Sequence, residues 1–280
     1  MNHADTRKQG PEAQPCEALS IREIRSFLSP SVRFCADRML VFPTIESTNQ
    51  LAKELARKGA EHGTVLLADH QTAGRGRLSR SFSSPAGGLY MSLILEPGML
   101  PFLGTDFVTP FTGIVVCEAI EEVTGKKPGI KWVNDLLLDG RKICGILAEA
   151  VTGPESGRVD RIVVGIGVNL HARPEDFPPE IRDIAASVDS DRKIPGLRNR
   201  LAAAILNRML DSGASMSRQD ILENYKRHLM MLGKAVTVMQ GKESFQATAM
   251  DLDPDGHLIV KKENGEISSL SSGEIRIRLG

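Results

Sequence analysis

The sequence has no net charge and few aromatic residues. Lys+Arg and Asp+Glu each number 35 in 280 residues, so no overall field attracts nucleic acid or an anionic membrane surface. Aromatic residues make up 4 %, which argues against a binder of single-stranded nucleic acid, because such proteins stack bases on aromatic side chains. An anion-binding site in this chain must therefore be built from a local cluster of basic residues.

Paired cysteines and long apolar runs are also lacking. The four cysteines are Cys16, Cys35, Cys117 and Cys144. They form no CxxC pair, which favours reduced, packed thiols over disulfides or a zinc site. The first residues, MNHADTRKQGPEAQPC, lack the apolar core of a signal peptide, and charges such as Asp106 interrupt the apolar stretches before they could span a bilayer. We therefore expect a cytoplasmic protein with no membrane segment and no protein-bound metal.

Strand-like and helix-like segments alternate along most of the chain. Residues 1–18 are polar and contain Pro and Gly, which predicts a disordered tail. Ser47 is a natural N-cap for a helix that starts at Thr48, and further helices are predicted around 107–124, 197–211 and 218–231. The strands are joined by tight hairpins, which cannot connect parallel strands. The pattern predicts an α+β domain over 19–232, with a mostly antiparallel mixed sheet and helices.

A second, smaller domain is predicted over 233–280. After Gly233 the chain has five short alternating segments separated by Gly241, Asp255-Gly256, Asn264-Gly265 and Gly273. Five short strands with turns between them predict a small SH3-like β-barrel or sheet. No residue of this segment is a candidate for catalysis, and we expect it to pack on the larger domain or to contact a protein partner.

Residues 131 to 142, KWVNDLLLDGRK, place polar side chains on a segment that should be a buried strand. Asp139-Gly140 predicts a two-residue hairpin turn. The predicted pairs are Leu138 with Arg141, Leu137 with Lys142, Leu136 with Ile143, and Asp135 with Cys144. Side chains alternate, so Lys131, Asp135 and Lys142 should share one face while Trp132 and Asn134 point the other way. Two interpretations stay open, a solvated salt-bridge ladder and an anion site that contains one carboxylate.

The loop QTAGRGRLSR at 71–80 combines two glycines with three arginines. Glycine lets backbone N–H groups approach a ligand, and arginine offers forked donors for phosphate or carboxylate. An RGG-like nucleic-acid contact and a solvated turn explain the loop equally well. The loop lacks the GxxxxGK[ST] of a P-loop, and GIGVN at 165–169 is not GxGxxG, so a dinucleotide site is a poor interpretation.

Several of these segments together resemble biotin protein ligases. The matching motifs, in order, are Ser-Thr-Asn at 47–49, QTAGRGR at 71–77, KWVNDLLLDGRKICGILAE at 131–149 and VVGIGVN at 163–169. The resemblance extends from about residue 40 to the terminal LSSGEIRIRL. It implies a class II synthetase-like catalytic domain, followed by an SH3-like module. It also implies an ATP-dependent enzyme that converts biotin to biotinyl-5′-AMP and then transfers it to a lysine of a biotin carboxyl carrier domain, of acetyl-CoA carboxylase or a related carboxylase.

The resemblance implies roles for individual residues. The implied biotin-binding residues are Ser47, Thr48, Asn49, Gln71, Gly74, Arg75, Gly76, Arg77 and Lys142. The implied nucleotide-binding residues are Arg75, Arg77, Lys131, Trp132, Asn134, Lys142 and Asn169, with Mg²⁺ accompanying ATP. Arg77, Lys142 and Asp135 are the catalytic candidates, because cations are needed where carboxylate meets triphosphate and an amine nucleophile needs a proton acceptor. The loop after Asn169 is expected to close over the nucleotide.

Three positions depart from the family pattern, and two alternatives remain. Ser79 replaces a glycine of the usual GRGRxGR loop, Phe82 stands near a usual tryptophan, and Val133 replaces the proline of KWPND. About 46 residues precede Ser47, too few for the winged helix of the family's repressors, so no DNA binding is expected. Many members dimerise through the sheet, which makes a homodimer one expectation. Lipoate or octanoate ligation is the alternative enzyme, and a nucleic-acid-binding protein that uses the arginine loop is the alternative from another class.

Overall fold

A computed structural model of the chain describes residues 17–99, 105–153, 157–211, 216–240 and 243–277. The disorder expected for residues 1–18 therefore falls almost wholly outside the described residues. Where the description begins, the carbonyls of Glu17 and Ala18 accept hydrogen bonds from the side chains of Arg198 and Asn199. These contacts attach the start of the described chain to a helix near residue 200.

A seven-stranded sheet forms the larger part of the molecule. Its strands are Met39–Phe42 (β1), Thr64–Ala68 (β2), Leu89–Leu95 (β3), Gly129–Lys131 (β4), Asp135–Leu138 (β5), Arg141–Thr152 (β6) and Val159–Val168 (β7). The strand order is β1-β2-β3-β7-β6-β5-β4, and only β1 and β2 run parallel. The mixed, mostly antiparallel sheet predicted from the tight hairpins is confirmed.

Helices cover both faces of this sheet. They are Ile21–Phe27 (α1), Thr48–Arg57 (α2), Thr105–Thr124 (α3), Leu197–Leu210 (α4) and Arg218–His228 (α5). The helix predicted at 107–124 begins two residues earlier, and the one predicted at 218–231 ends at His228. Side chains alternate across the central strands: Val65 and Leu67 pack in the large core with α3 and α4, whereas Leu66 packs in a small core with α2. The strands are therefore buried on both faces, and α2 lies opposite the other helices.

The C-terminal module is a second sheet of five strands. They are Ala235–Gln240 (β8), Glu243–Leu252 (β9), Leu258–Lys262 (β10), Ile267–Leu270 (β11) and Glu274–Ile277 (β12). All pairs are antiparallel, in the order β11-β10-β9-β8-β12. The five predicted strands are confirmed. Among the described residues β11 and β12 are not paired, so the sheet is open there and not a closed barrel.

The segment KWVND does not form the single strand that the sequence predicted. Strand β4 ends at Lys131, residues 132–134 turn, and β5 starts at Asp135, so Lys131 pairs with Asp135 across a short hairpin. The Trp132–Val133 peptide bond is cis. The Tyr225 hydroxyl donates to the carbonyl of Val133 at 2.7 Å, which holds the turn against α5.

The predicted register of the next hairpin is correct only near its turn. Leu138 pairs with Arg141 and Leu137 with Lys142, but Leu136 pairs with Cys144 and Asp135 with Gly145. A bulge at Ile143 shifts the pairing by one residue, because the backbone N–H of Asn169 takes the Ile143 carbonyl at 2.8 Å. Asp139 and Gly140 both have positive φ, as the predicted two-residue turn requires.

Candidate active site

A cavity of about 140 Å³ opens beside the N-terminus of α2. Its walls come from the loop after β2, the β4-β5-β6 hairpins, the strands β3 and β7, and the C-terminal module. The predicted site residues that line it are Ser47, Thr48, Asn49, Gln71, Arg75, Gly76, Arg77, Lys131, Trp132, Asn134, Asp135 and Lys142. Segments separated by almost a hundred residues in sequence therefore meet at one place.

Two predicted residues, Gly74 and Asn169, do not line this cavity. Gly74 lies at the base of the arginine loop, where its carbonyl accepts from the Phe82 N–H at 2.9 Å. A Cβ at Gly74 would lie 2.4 Å from the carbonyl oxygen of Phe82, so the close approach of the two backbones requires glycine. Asn169 is buried behind the hairpin, and its Oδ1 has no hydrogen-bond partner among the described residues.

The two lysines predicted to share a face do converge on Asp135. Lys142 Nζ lies 2.6 Å from Asp135 Oδ1, and Lys131 Nζ lies 3.6 Å from Asp135 Oδ2. The reason differs from the one expected, because Lys131 reaches Asp135 across the β4-β5 hairpin and not along one strand. All three side chains are partly buried and line the cavity, so the solvated salt-bridge ladder is excluded.

Trp132 and Asn134 were predicted to point away from this group, but both line the same cavity. Asn134 Oδ1 accepts from Arg77 Nη1 at 3.3 Å. Its Nδ2 donates to the Ile146 carbonyl, and its own carbonyl accepts from the Ile146 N–H, both at 2.9 Å. The turn at 132–134 breaks the strand alternation on which the prediction depended, and it ties the arginine loop to β6.

The arginine loop folds back on itself. Gly76 N–H donates to the Arg80 carbonyl at 2.7 Å, and Arg75 forms an isolated bridge with Ser81. Arg75, Arg77 and Arg80 all line the cavity. Arg77 is partly buried and faces Asn134, whereas Arg75, Leu78, Ser79 and Arg80 are exposed. The inner side of the loop is therefore a cavity wall, and its outer side is a solvated turn.

The start of α2 and the neighbouring Gln71 supply neutral hydrogen-bonding groups to the cavity. Ser47 caps the helix and its side chain accepts from the Gln50 N–H, as predicted. Gln71 Oε1 accepts from the Thr48 N–H at 2.9 Å, and Gln71 Nε2 donates to Ser84 Oγ at 3.0 Å. Donors and acceptors are therefore held in fixed places near the positive end of the helix dipole.

Glycines in β6 and β7 form the floor of the cavity, which the sequence analysis missed. Cβ atoms at Gly145 and Gly167 would lie 2.8 Å and 2.5 Å from the Phe82 ring. Phe82, one of the departures from the family pattern, fills the space over these two glycines, and Lys142 Nζ stands 5.6 Å from its ring centroid. The signal was the alternate spacing of Gly165 and Gly167 on one face of a strand, which indicates close approach of another group.

The C-terminal module packs on the larger domain, as expected, and it also lines part of the cavity, which was not expected. Gly273 and Glu274 line it, and Glu274 pairs with Arg80 of the arginine loop at 2.7 Å. Trp132 Nε1 donates to the Gly256 carbonyl at 3.4 Å. No local sequence pattern marks these contacts, because they depend on how two separate sheets dock.

Buried tyrosine and cysteine side chains outside the cavity are structural. Burial raises the pKa of Tyr225, so its hydroxyl stays protonated and donates to Val133. Burial likewise raises the pKa of Cys35 and of Cys117 to about 12, and also that of Cys144, which keeps these thiols protonated and unreactive. The described cysteines are all free, as expected.

The described residues include a cluster of two aspartates and a histidine outside the cavity, and they include no candidate membrane helix. Asp253, Asp255 and His257 sit together at the turn between β9 and β10 of the C-terminal module. None of the helices described has the length and apolarity needed to cross a bilayer.

The candidate chemistry lies in the cavity, where arginines and lysines surround the central carboxylate of Asp135. Such a site can bring two anionic reactants together and hold a proton acceptor beside them.

Two family models match the chain. One, described as the Biotin/lipoate A/B protein ligase family, matches residues 41–169, and the other, described as the Biotin protein ligase C terminal domain, matches residues 231–278. The first includes every predicted site residue, and the second includes Gly256, Gly273 and Glu274, which contact the cavity walls.

Curated proteins and solved structures agree with these models. The Bifunctional ligase/repressor BirA of Bacillus subtilis is 33 % identical over 264 residues, which cover 92 % of this chain and 79 % of that protein. The Biotin--[acetyl-CoA-carboxylase] ligase of Mycobacterium tuberculosis is 30 % identical over 82 % of this chain and 85 % of its own length. A structure of the biotin protein ligase from Aquifex aeolicus in complex with biotin and ATP has a TM-score of 0.72 at 28 % identity, covering 86 % of this chain and 99 % of that one.

Proposed function

The chain belongs to the biotin protein ligase family and ligates biotin to protein with ATP, and we propose that the cavity described above performs both steps of that reaction. The observation that carries the proposal is the group formed by Lys131, Asp135 and Lys142. It lies in one cavity with the arginine loop and the N-terminus of α2. In the first step biotin carboxylate attacks the α-phosphorus of ATP, the bond from the α-phosphorus to the bridging oxygen breaks, and pyrophosphate leaves.

Basic residues lower the barrier of this first step. Carboxylate and triphosphate repel each other, so cations must offset the negative charge that gathers where they meet. Arg75, Arg77 and Lys142 are the proposed groups, because all three line the cavity. Lys142 exchanges its contact with Asp135 for the anionic reactants when they bind.

The proposed biotin site extends from α2 to the arginine loop. Ser47, Thr48, Asn49 and Gln71 supply the donors and acceptors suited to the cyclic urea of biotin. The apolar rings of the ligand then lie against the ring of Phe82, which covers the glycine floor. Gly74 acts indirectly by closing the base of the loop, and Gly76 lets the loop backbone approach the ligand. Arg77 and Lys142 face the carboxylate end.

The proposed nucleotide site lies beside the KWVND turn. Arg75, Arg77, Lys131 and Lys142 meet the phosphates, while Trp132 and Asn134 form the wall of the turn. Asn169, whose Oδ1 is buried without a partner, is proposed to serve the adenine side. Asp135 and Glu274, the carboxylates that line the cavity, already pair with basic side chains. A Mg²⁺ ion that accompanied ATP would therefore be held mainly by phosphate oxygens and water, where it would offset charge on the phosphates.

In the second step the lysine amine of an acceptor protein attacks the acyl carbon of biotinyl-5′-AMP, and AMP leaves. An acceptor lysine is mostly ammonium at neutral pH and must lose a proton to react. Asp135 is the proposed group that orients the amine and accepts this proton. We propose a biotin carboxyl carrier domain as the acceptor and the cytoplasm as the location, where ATP is supplied and buried thiols stay reduced.

One incubation tests the ligase activity on which the proposal rests. The protein is mixed with ATP, Mg²⁺, radiolabelled biotin and a carrier domain, and label in the carrier domain is measured after denaturing gel separation. A carrier domain with its acceptor lysine changed to arginine is the matched control. We expect label only in the unmodified acceptor and only with ATP. Absence of label with both ATP and the acceptor present would reject the function.

Lipoate ligation is the second candidate, because the model that matches 41–169 covers both activities. The match of residues 231–278 to a C-terminal domain described for biotin protein ligases favours biotin. Titration calorimetry with biotin and with lipoate separates the two. We expect heat only with biotin, and binding of lipoate alone would reverse the assignment.

A further inference from the structure

Behind the cavity, a chain of hydrogen bonds runs from Thr48 into the small core between α2 and the sheet. We call it the Ser92 relay, and its members are Thr48, Ser92, Asn49, Glu149 and Lys53. Ser92 lies on β3 with 0 % exposure, and Thr48 and Asn49 are also buried. Only Thr48 and Asn49 reach the cavity wall, so the other members act on a ligand through them.

The far end of the relay sets the orientation of the Asn49 amide. Asn49 Nδ2 lies 3.0 Å from Glu149 Oε2 and 3.3 Å from the Leu147 carbonyl, and both of these oxygens are acceptors. Lys53 Nζ lies 2.7 Å from the other Glu149 oxygen, so the carboxylate is paired at both ends. A carboxylate can only accept, so the Asn49 nitrogen must face it and Oδ1 must face Ser92.

Gly165 makes room for this orientation. A Cβ there would lie 2.2 Å from Asn49 Oδ1, too close for any side chain. Gly165 of β7 thus admits the Asn49 amide between α2 and the sheet.

The Ser92 hydroxyl has one hydrogen to donate, and two acceptor oxygens lie within hydrogen-bond distance of it. Asn49 Oδ1 lies at 2.7 Å and Thr48 Oγ1 at 2.8 Å. When Ser92 donates to Asn49, its oxygen is free to accept from Thr48. When Ser92 donates to Thr48, the Thr48 hydrogen goes to Gln71 Oε1 at 3.2 Å. In both arrangements the Thr48 hydrogen bonds to a protein oxygen, and the hydroxyl presents a lone pair to the cavity.

We infer that Ser92 is a positioning residue that makes the Thr48 hydroxyl a fixed hydrogen-bond acceptor for a ligand N–H, with Asn49, Glu149 and Lys53 holding Ser92 in place. The inference rests on the proposed function, since the N–H is one of the two of the biotin urea. If the ligand has an acceptor in place of that N–H, a lone pair of the ligand faces a lone pair of the Thr48 hydroxyl. Two polar atoms left unpaired in a buried site weaken the binding of the ligand.

The test compares biotin with its two cyclic carbamate analogues, in each of which one ring N–H is replaced by oxygen. Titration calorimetry gives a Kd for each ligand with the wild-type protein, with Ser92→Ala and with Thr112→Val. Thr112 is a matched control, because its hydroxyl is also fully buried but donates within α3 to the Val108 carbonyl. We expect the wild-type protein to bind one carbamate about tenfold or more weakly than biotin.

In Ser92→Ala the Thr48 hydroxyl keeps only its long contact to Gln71 and can turn its hydrogen toward the ligand. The preference for biotin over that carbamate should then fall by about fivefold or more, while Thr112→Val keeps the wild-type ratio. A loss of stability alone would weaken all ligands together and leave the ratio unchanged. If Ser92→Ala does not fold, Ser92→Cys replaces it, since a thiol is a weak donor of similar size.

Each failure has a distinct meaning. A wild-type protein that binds biotin as tightly as both carbamates overturns the inference, as does a ratio that Ser92→Ala and Ser92→Cys both leave unchanged. A wild-type protein that binds none of the three ligands overturns the proposed function instead.

Discussion

The ammonium group of Lys142 lies 2.6 Å from Asp135 Oδ1, in a cavity where Lys131 approaches the other oxygen of the same carboxylate. Each of these side chains lies on a different strand, and they meet because two hairpins follow one another at the edge of the sheet. In the proposed mechanism this carboxylate keeps the two lysines in place before an anionic reactant binds, and it lies beside that reactant once the lysines contact it.

Asp135→Asn is expected to slow transfer to the acceptor lysine more than formation of the adenylate. The amide keeps the shape of the side chain but cannot accept a proton, and loss of such a group costs roughly 10²- to 10⁴-fold. Single-turnover assays of pyrophosphate release and of carrier labelling measure the two steps separately. Equal losses in both would show that Asp135 only holds the lysines.

Lys142→Ala is expected to weaken adenylate formation by about 10²-fold or more, since it removes a cation from the place where carboxylate meets phosphate. Pyrophosphate release in the absence of the carrier domain is the measurement. Arg141→Ala is the matched control, because Arg141 is the neighbouring base and is exposed outside the cavity. Normal pyrophosphate release by Lys142→Ala would remove Lys142 from the first step.

Arg77→Gly is expected to release the reactive adenylate into solution. Its contact with Asn134 joins the arginine loop to the KWVND turn, so its loss opens the wall between them. We expect increased labelling of bystander lysines on an added unrelated protein. Arg57→Ala, which removes an exposed arginine at the end of α2, should label no more than the wild type. Bystander labelling at the wild-type level in Arg77→Gly would contradict this role.

Gly167→Ala should destabilise the fold by about 1–3 kcal/mol, because the new Cβ overlaps the ring of Phe82. Urea unfolding of the single variant, of Phe82→Leu and of the double variant forms a double-mutant cycle. We expect Phe82→Leu to recover much of the loss in the Gly167→Ala background. Strictly additive effects would show that the Phe82 ring does not cause the destabilisation in Gly167→Ala.

Acid should weaken the fold through His62, which does not line the cavity. Burial lowers the pKa of His62 below its usual value of 6.5, aided by Arg38 and Arg161 against the opposite effect of Glu96. The unfolded chain then binds more protons than the folded one as the pH falls below about 6.5, so stability decreases from there down to the folded-state pKa. Above that window the titration of His62 does not change the free energy of unfolding with pH.

The measurement is the urea midpoint between pH 7.5 and 5.5. In the wild-type protein the Glu96 N–H donates to His62 Nδ1 at 3.2 Å. His62→Asn removes the titrating ring but keeps an acceptor near this N–H. The variant should lose less stability over this range than the wild type. An identical loss in both proteins would assign the acid sensitivity to other groups.

Local patterns predicted much of the fold. Ser47 caps α2 because its short side chain reaches the Gln50 N–H, and Asp139-Gly140 turns the chain because both residues adopt positive φ. These features depend on a few neighbouring residues and need no tertiary context. The bulge at Ile143 does need it, because Asn169, a distant residue, takes the carbonyl that the simple register would pair.

The arginine loop, the two lysines with Asp135 and the ordered motifs were sufficient to predict the candidate site and the family. The packing of the sheets then placed Asn134 in the cavity wall, Gly145 and Gly167 beneath Phe82, and Glu274 of the C-terminal sheet beside Arg80. Residue types follow from the chemistry that each position must supply, and they can be read one position at a time. Which of them meet depends on the docking of strands and sheets far apart in the chain, and that is fixed by packing of the whole core.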